Sequence, residues 1–223
     1  IQNLSAFTPN IRITAYPDKC IMDALNESHT SITNISLTNE WFSAYTTDNT
    51  ITIIVNTSIL YKIINVLDDK YPVTLTISTC DIIVQGKSIH SEVTYTIPSL
   101  LIDIPEIEVP NDIEYAADIS MNSKTLCSIL DNLLIIGDDC ELHIQEDSMT
   151  LSSAGDYGTS KIDLTLDDLN GFAVEENINL QSNYQLKLLH SVALFHKAAD
   201  IVDLHVGDNT PLVIQYNCLL YTS

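Results

Sequence analysis

The chain has 223 residues, enough for one large domain or two small ones, and 45% apolar residues support a buried core. Nine basic residues against thirty acidic ones give a net charge of −21, so the surface should repel nucleic acid and acidic membranes unless its cations are gathered in one place. No apolar run approaches the roughly 18 residues of a membrane span, and we expect neither a membrane partner nor a signal peptide. Five scattered cysteines without a Cys-x-x-Cys pair favour reduced, buried thiols over disulfides or zinc.

The first half predicts strands interrupted by one helix. The opening residues, 1–7, resemble the end of an amphipathic helix. A second helix is predicted at 57–67, where Asn56 to Ser58 supply N-cap residues, one face is apolar, and Lys62 and Asn65 lie on the other face. Alternating apolar residues predict strands, with a turn at Gly86 and Lys87. These strands are 11–15, 20–25, 30–38, 41–45, 50–55, 73–78, 81–85 and 93–97.

Residues 98–115, PSLLIDIPEIEVPNDIEY, form what we call the connecting segment. It carries three prolines and five acids, and it has no basic residue and no glycine. A proline every five to seven residues excludes a helix and disfavours a central strand. The segment is therefore predicted to be extended, crossing a surface and joining two halves. An ordinary interdomain linker is the alternative.

The second half repeats the order of the first. A helix is predicted from Ser123, which would cap it, with Leu126, Ile129, Leu130 and Leu133 inward and Gly137 as its C-cap. A further helix is predicted at 182–192, and residues 154–158 are predicted to be a loop. Strands are predicted at 115–121, 140–144, 149–153, 161–166, 172–175, 201–206 and 212–216.

The two halves match as an internal duplication. Residues 4–37 recur at 133–166 with a shift of about 129 positions, and the helices 57–67 and 182–192 match at a shift of about 125. The second match aligns Lys62 with Lys187. The predicted fold is α+β, with antiparallel sheets and helices in two like domains at 1–97 and 116–223, joined by 98–115.

The sequence offers no catalytic, metal or cofactor motif. The six histidines show no HxxxH or HxH spacing, and there is no phosphate-binding loop, dinucleotide fingerprint or nucleophile elbow. Asp138, Asp139 and Glu141 fit a solvated turn better than a cation site. We therefore predict that the protein is not an enzyme and needs no cofactor.

Several strings then converge on one family. They are LNESHTSI at 25–32, IGD at 136–138, SSAGDYG at 152–158 and TPLVIQY at 210–216. Together with the duplication and the connecting segment, they resemble eukaryotic-type sliding clamps of the proliferating cell nuclear antigen family. The resemblance covers nearly the whole chain and is in register over long stretches. The bias towards Ile, Asn, Asp and Thr suits an AT-rich viral or protozoan genome.

The resemblance implies two clamp domains per subunit and a ring of three identical subunits around duplex DNA, bound without regard to sequence. Helices would line the hole, sheets would form the rim, and edge strands 92–97 and 172–176 would join subunits. The ring would carry out no catalysis. It would be opened by a clamp loader, would tether DNA polymerases and repair enzymes through short peptides, and would act in the nucleus or, if viral, at a cytoplasmic replication site.

The resemblance also implies a peptide pocket beneath the connecting segment. An apolar cleft walled by such a strap suits aliphatic and aromatic peptide anchors. Plain core packing is the alternative for Leu25, Ile32 and Pro211. The matching residues are Leu25, His29, Ile32, Ile107, Val109, Pro110, Pro211 and Tyr221.

The DNA-facing residues that match are Lys62 and Lys187, with Lys124 and Lys197 near helix ends. Lysines there would contact phosphates without reading bases. The sequence departs from the family pattern because Asp131 and Asn65 stand where cations are usual. The first strand, most of the first helix and part of the C-terminal end are also absent from this sequence.

Two other assemblies stay open. A checkpoint-type clamp subunit would join two different chains in a heterotrimer and would not self-associate. A monomeric viral polymerase processivity factor would bind DNA by one face. The oligomeric state distinguishes these three hypotheses.

Overall fold

A computed structural model describes residues 2–26, 30–102, 113–208 and 210–217. The chain divides into two compact units, Ile1–Val109 and Pro110–Ser223, which are called unit 1 and unit 2. Both are built from antiparallel sheets with few helices. The predicted α+β class is confirmed. No helix among the described residues is long and apolar enough to cross a membrane.

Unit 1 contains two antiparallel sheets, ordered β3-β2-β1-β4 and β5-β6-β7. Its longer helix, α2, is capped at the N-terminus by Asn56, whose side-chain oxygen accepts the N–H of Ile59. The elements are α1 (Gln2–Phe7), β1 (Asn10–Ala15), β2 (Lys19–Leu25), β3 (Ile32–Thr38), β4 (Ile51–Asn56), α2 (Thr57–Asn65), β5 (Thr74–Ile77), β6 (Asp81–Lys87) and β7 (Glu92–Pro98).

The strand predicted at 41–45 is wrong. Asn39–Trp41 is a short 3-10 helix, and bends follow it. The phenol of Tyr45 donates to the carbonyls of Tyr16 and Lys19 at 2.7 and 2.8 Å, which fixes this stretch across the β1–β2 turn. The turn predicted at Gly86 and Lys87 is also misplaced, because β6 runs through both residues and the chain turns at 88–91.

Unit 2 repeats the first sheet order as β11-β10-β9-β13 and adds a second sheet, β12-β8-β14-β15. One core of apolar side chains from both sheets and α3 fills it. The elements are β8 (Ala117–Asn122), α3 (Ser123–Leu134), β9 (Asp139–Gln145), β10 (Ser148–Gly155), β11 (Gly158–Thr165), β12 (Gly171–Val174), β13 (Asn179–Gln185), α4 (Leu186–Ala193), β14 (Ile201–Val206) and β15 (Val213–Tyr216).

The partner of β12 explains the error at 41–45. In unit 2, β12 is held by β8, and the short 3-10 helix Leu166–Asp168 precedes it as Asn39–Trp41 precedes residues 42–45. The described part of unit 1 holds no strand equivalent to β8. A β-forming segment without a partner strand has no ladder to join, so residues 42–45 stay irregular.

The ends of α3 differ in detail from the prediction. Asn122 caps the helix, with its side-chain oxygen accepting the N–H of Thr125, and Ser123 is the first helical residue. Gly137 follows the helix, yet among the described glycines only Gly158 has a positive φ, of 136°. Gly137 is required for space, since a Cβ there would lie 2.5 Å from the carbonyl oxygen of Ala154.

The helix predicted at 182–192 begins later. Residues 179–185 form β13, which pairs with β9, and α4 starts at Leu186. The caps of α2 and α4 are therefore Asn56 and Gln185, 129 positions apart, the same shift that relates the strands. The predicted correspondence of Lys62 with Lys187 is consequently wrong.

The start of the connecting segment is bound to unit 1. Pro98 ends β7, the N–H of Ser99 donates to Cys80, and the N–H of Leu100 donates to the carbonyl of Ile54 in β4. Leu101 is fully exposed. Residues 103–112, which include Ile107, Val109 and Pro110, lie outside the described residues.

Candidate functional site

Two of the predicted pocket residues face each other across the β2–β3 hairpin. Leu25 ends β2, Ile32 begins β3, and the two are cross-strand partners, so their side chains share one face of the sheet. Ile32 is 47% exposed, and Leu25 is half-buried. Hydrogen bonds hold the loop end of the hairpin. The hydroxyl of Thr8 donates to the carbonyl of Leu25, and the side-chain oxygen of Asn26 accepts the N–H groups of Thr30 and Ser31.

The remaining pocket residues are divided between unit 2 and the parts of the chain that are not described. Pro211 is exposed and lies just before β15 in unit 2. His29, Ile107, Val109, Pro110 and Tyr221 lie outside the described residues. Within the described part of unit 1, the structure therefore brings together Leu25 and Ile32.

All four predicted DNA-facing lysines are exposed. Lys62 lies on α2 and Lys124 on α3, in the first turn. Lys187 lies in the first turn of α4, with its ammonium 2.9 Å from Asp138, and both side chains are about four-fifths exposed. Such exposed pairs contribute little, so Lys187 can exchange Asp138 for another anion. Lys197 ends the 3-10 helix Leu194–Lys197 that follows α4.

Asp131 and Asn65, the two departures from the basic pattern, are both exposed. Asp131 lies on α3, and its carboxylate is 2.8 Å from Nε2 of His190 on α4. The carboxylate thus has a hydrogen-bonding partner on the neighbouring helix.

Cys127 completes a group with Asp131 and His190. The three ligand-type atoms lie within 4.8 Å of one another, and no other such trio occurs in the described parts of the chain. The sequence-based search missed it because it looked for histidine pairs at fixed spacing. Cys127 and Asp131 are four apart on a predicted helix, which is a usable signal, but His190 is brought in by tertiary packing.

The thiol in this group is held neutral by its surroundings. Burial raises the pKa of Cys127, the charge of Asp131 raises it further, and Lys197 opposes these effects. Burial also raises the pKa of Tyr216, with a smaller contribution from Cys127. The phenol of Tyr216 is buried without a hydrogen-bond partner among the described residues.

Each of the four sheets has two edge strands in the described part of the chain, and three of these eight edges bear on subunit contact. β7 pairs only with β6, and β12 pairs only with β8; these strands cover most of the ranges 92–97 and 172–176 predicted for subunit contact. β11 is a further edge, bonded only to β10, which the sequence analysis did not propose. It has eight residues, whereas β12 has four.

The duplicated sheets, the short helices and the open edges define a two-domain clamp protein. The family model described as proliferating cell nuclear antigen, N-terminal domain, matches residues 8–103, and the corresponding C-terminal domain model matches residues 108–220. The chain therefore belongs to the proliferating cell nuclear antigen family, as the sequence predicted.

Two known proteins that resemble this chain in sequence or fold are clamps of the same kind. The chain is 24% identical over 210 residues to a DNA polymerase sliding clamp of Methanothermobacter thermautotrophicus, covering 94% of this chain and 82% of the relative. Its fold matches the crystal structure of a PCNA2–PCNA3 complex from Sulfolobus tokodaii with a TM-score of 0.84 and 22% identity, over 97% of this chain and 88% of that one. These matches support a DNA sliding-clamp function.

Proposed function

We propose that this chain is one subunit of a ring that encloses duplex DNA and serves as a processivity factor for DNA polymerase. The observation that carries the proposal is the match of both halves to the two clamp domains. The ring carries out no chemistry of its own. It works where DNA is replicated, in the nucleus or, for a viral protein, at a cytoplasmic replication site, and a clamp loader opens it.

The charge distribution is compatible with DNA held by topology. A chain with a net charge of −21 cannot bind DNA over its general surface. The exposed lysines of α2, α3 and the α4 region are the cations available to phosphates, and contacts of that kind carry no sequence information. Few and weak contacts suit a protein that must move along the duplex.

Partner docking is proposed at the Leu25–Ile32 face, together with Pro211 and the connecting segment. An apolar side chain that is half-exposed at the start of a strand can gain burial when a peptide covers it. Aliphatic and aromatic anchors from polymerases and repair enzymes are the expected occupants. Peptides that carry such anchors are the probes used below.

Subunits are proposed to join through an edge of unit 1 and an edge of unit 2. β7 is the unit 1 edge, and the predicted unit 2 edge is 172–176. The longer β11 is the stronger geometric candidate, since its eight residues match the seven of β7. Backbone N–H groups alternate in direction along β11, so proline at the one of Ser160 and Lys161 whose N–H points away from β10 removes an outward donor and should produce monomers. Proline at Ala173 tests β12 in the same way.

A heteromeric ring is the second candidate. The Sulfolobus tokodaii structure of similar fold is a complex of PCNA2 with PCNA3, and this supports an assembly in which the present chain pairs with non-identical subunits. In that case the purified chain stays a monomer or forms an incomplete assembly, and it completes a ring only when other clamp chains are added.

Enclosure of DNA is tested by comparing duplexes with open and blocked ends. Labelled protein is followed on linear duplex DNA whose ends are free or capped by bulky protein. A ring diffuses along the DNA and leaves from free ends, so capping should lengthen its residence many-fold at moderate salt. Equal residence times on both substrates would contradict the proposal.

A further inference from the structure

Cys127, Asp131 and His190 offer sulfur, oxygen and nitrogen donors from two packed helices. Cys127 and Asp131 are one helical turn apart on α3, and His190 lies on α4, which packs against α3. The Sγ, carboxylate oxygen and imidazole nitrogen all fall within 4.8 Å of one another. Side chains on regular helices hold their positions better than side chains on loops.

This donor set selects the class of ion. Thiolate and imidazole are ligands of zinc and similar transition metals, whereas calcium and magnesium prefer sites built wholly from oxygen. Three protein ligands leave a fourth position for water or another small ligand. We propose that Cys127, Asp131 and His190 bind one divalent ion of the zinc class between α3 and α4.

The geometry requires only local adjustment. With zinc–ligand distances of about 2.0–2.3 Å, tetrahedral donors lie about 3.3–3.6 Å apart. The His190–Asp131 separation of 2.8 Å must open slightly, and both groups must settle at that spacing from the Cys127 sulfur, which lies within 4.8 Å of them. Rotations about the side-chain bonds of Asp131 and His190 can supply these shifts, because both side chains reach solvent.

Proton balance is straightforward. Cys127 binds the metal as a thiolate, so its thiol proton is released to solvent. His190 binds through Nε2 as the neutral imidazole, with its remaining proton on Nδ1. The ion therefore takes the place between Nε2 and the carboxylate that a hydrogen bond occupies in the metal-free protein.

The surroundings give the site an entrance and a counter-charge. The Asp131 side chain is 60% exposed and that of His190 is 27% exposed, while Cys127 is buried beneath them, so an ion enters from the Asp131 side. Lys197 places a positive charge near the Cys127 sulfur. The alternative is a hydrogen-bonded Asp–His pair above an inert thiol.

Cobalt titration distinguishes these two cases. Untagged full-length protein carrying Cys80→Ser and Cys218→Ser, which remove an exposed thiol and one outside the described residues, is stripped of metal and titrated with Co²⁺ under reducing conditions. We expect saturation at one ion per chain, a thiolate-to-cobalt charge-transfer band, visible bands typical of four-coordinate cobalt, and loss of these bands when Zn²⁺ is added.

Variants assign the ligands. Cys127→Ser should abolish the charge-transfer band, and Asp131→Asn and His190→Gln should each weaken Co²⁺ binding at least tenfold. Asp131 and His190 reach solvent, so their variants should retain the wild-type circular dichroism and thermal unfolding, which keeps the test valid if Cys127→Ser folds poorly. The proposal is overturned if Co²⁺ gives no saturable charge-transfer band, or if Asp131→Asn and His190→Gln bind as tightly as the parent.

The outcome is independent of the clamp proposal. A chain that fails to enclose DNA can still bind the metal, and a chain that encloses DNA can lack the metal site. Residence on end-blocked DNA and cobalt absorption therefore report on different claims.

Discussion

Replacing Ile32 by threonine should weaken peptide binding while leaving unit 1 folded. Ile32 begins β3 opposite Leu25, and 47% of it is exposed. Threonine keeps the β-branched shape that suits a strand and removes most of the apolar surface. The change therefore tests the contribution of the docking face to peptide binding without disrupting the strand that carries it.

The magnitude follows from the exposed fraction. Full burial of an isoleucine side chain contributes about 1.5–3 kcal/mol, so covering the 47% that is still exposed contributes about 0.7–1.4 kcal/mol. Losing most of this should raise the Kd for a docking peptide by roughly 3–10-fold. Unfolding free energy should fall by less than about 1 kcal/mol, since half of the side chain is already in water.

Fluorescence anisotropy measures the binding, with a dye-labelled peptide that carries the aliphatic and aromatic anchors of clamp-interacting motifs. Ile89→Thr is the matched control, because Ile89 is 81% exposed in the β6–β7 turn, which belongs to a different sheet from the β2–β3 hairpin. Urea unfolding of both variants checks the fold. An unchanged Kd for Ile32→Thr, or an equal change in Ile89→Thr, would refute the assignment of this face.

Three further predictions address stability and DNA contact. Burial raises the pKa of Cys140 from 9.0 to about 11; the folded state therefore holds the thiol proton more tightly, and this stabilisation is complete below pH 9 and lost as the pH rises to 11. In urea unfolding, the wild-type protein should lose roughly 2–3 kcal/mol of unfolding free energy between about pH 9 and 11, and Cys140→Ala should not. The same pH dependence in both proteins would contradict this prediction. Asp138→Asn removes the ion-pair partner of Lys187 and should tighten DNA binding a few-fold at low salt, whereas Lys187→Gln should reduce the slope of log K against log salt by about 0.9 per lost phosphate contact; identical salt titrations would exclude Lys187 from the DNA surface. A Cβ at Gly155 would overlap the carbonyl of Ile136, so Gly155→Ala should destabilise unit 2 by roughly 1–3 kcal/mol in urea unfolding, and a neutral result would show that the backbone yields there.

Much of the strand order could be predicted because apolar alternation records which face of a strand is buried. β1 and β9 carry that alternation clearly, with buried side chains at Ile11 and Ile13 and at Leu142 and Ile144. A duplication also supplies each half with a second version of the pattern. This is why the two-copy α+β fold was predictable before any geometry was known.

The errors arose where pairing, rather than pattern, decides the structure. Residues 179–185 place Leu180 and Tyr184 four apart, a spacing that fits a helix, yet pairing with β9 makes them a strand. The same mistake moved the helix start and created the false match of Lys62 with Lys187. Residues 41–45 have strand-like side chains, but strand formation depends on a neighbour that the described part of unit 1 does not supply.

The candidate site was predictable only in part. The hairpin residues Leu25 and Ile32 follow from the family resemblance and from adjacent strands. The Cys127, Asp131 and His190 group joins helices that are about 60 residues apart in the chain, and no local spacing encodes that contact. The predicted pocket residues of the connecting segment lie outside the described residues, so their role remains a prediction.

Light scattering coupled to size-exclusion chromatography tests the central claim most directly. We expect a particle of three times the 24.7 kDa mass of one chain, persisting at moderate salt and low micromolar concentration. A mass of 24.7 kDa across that range would contradict the homotrimeric ring.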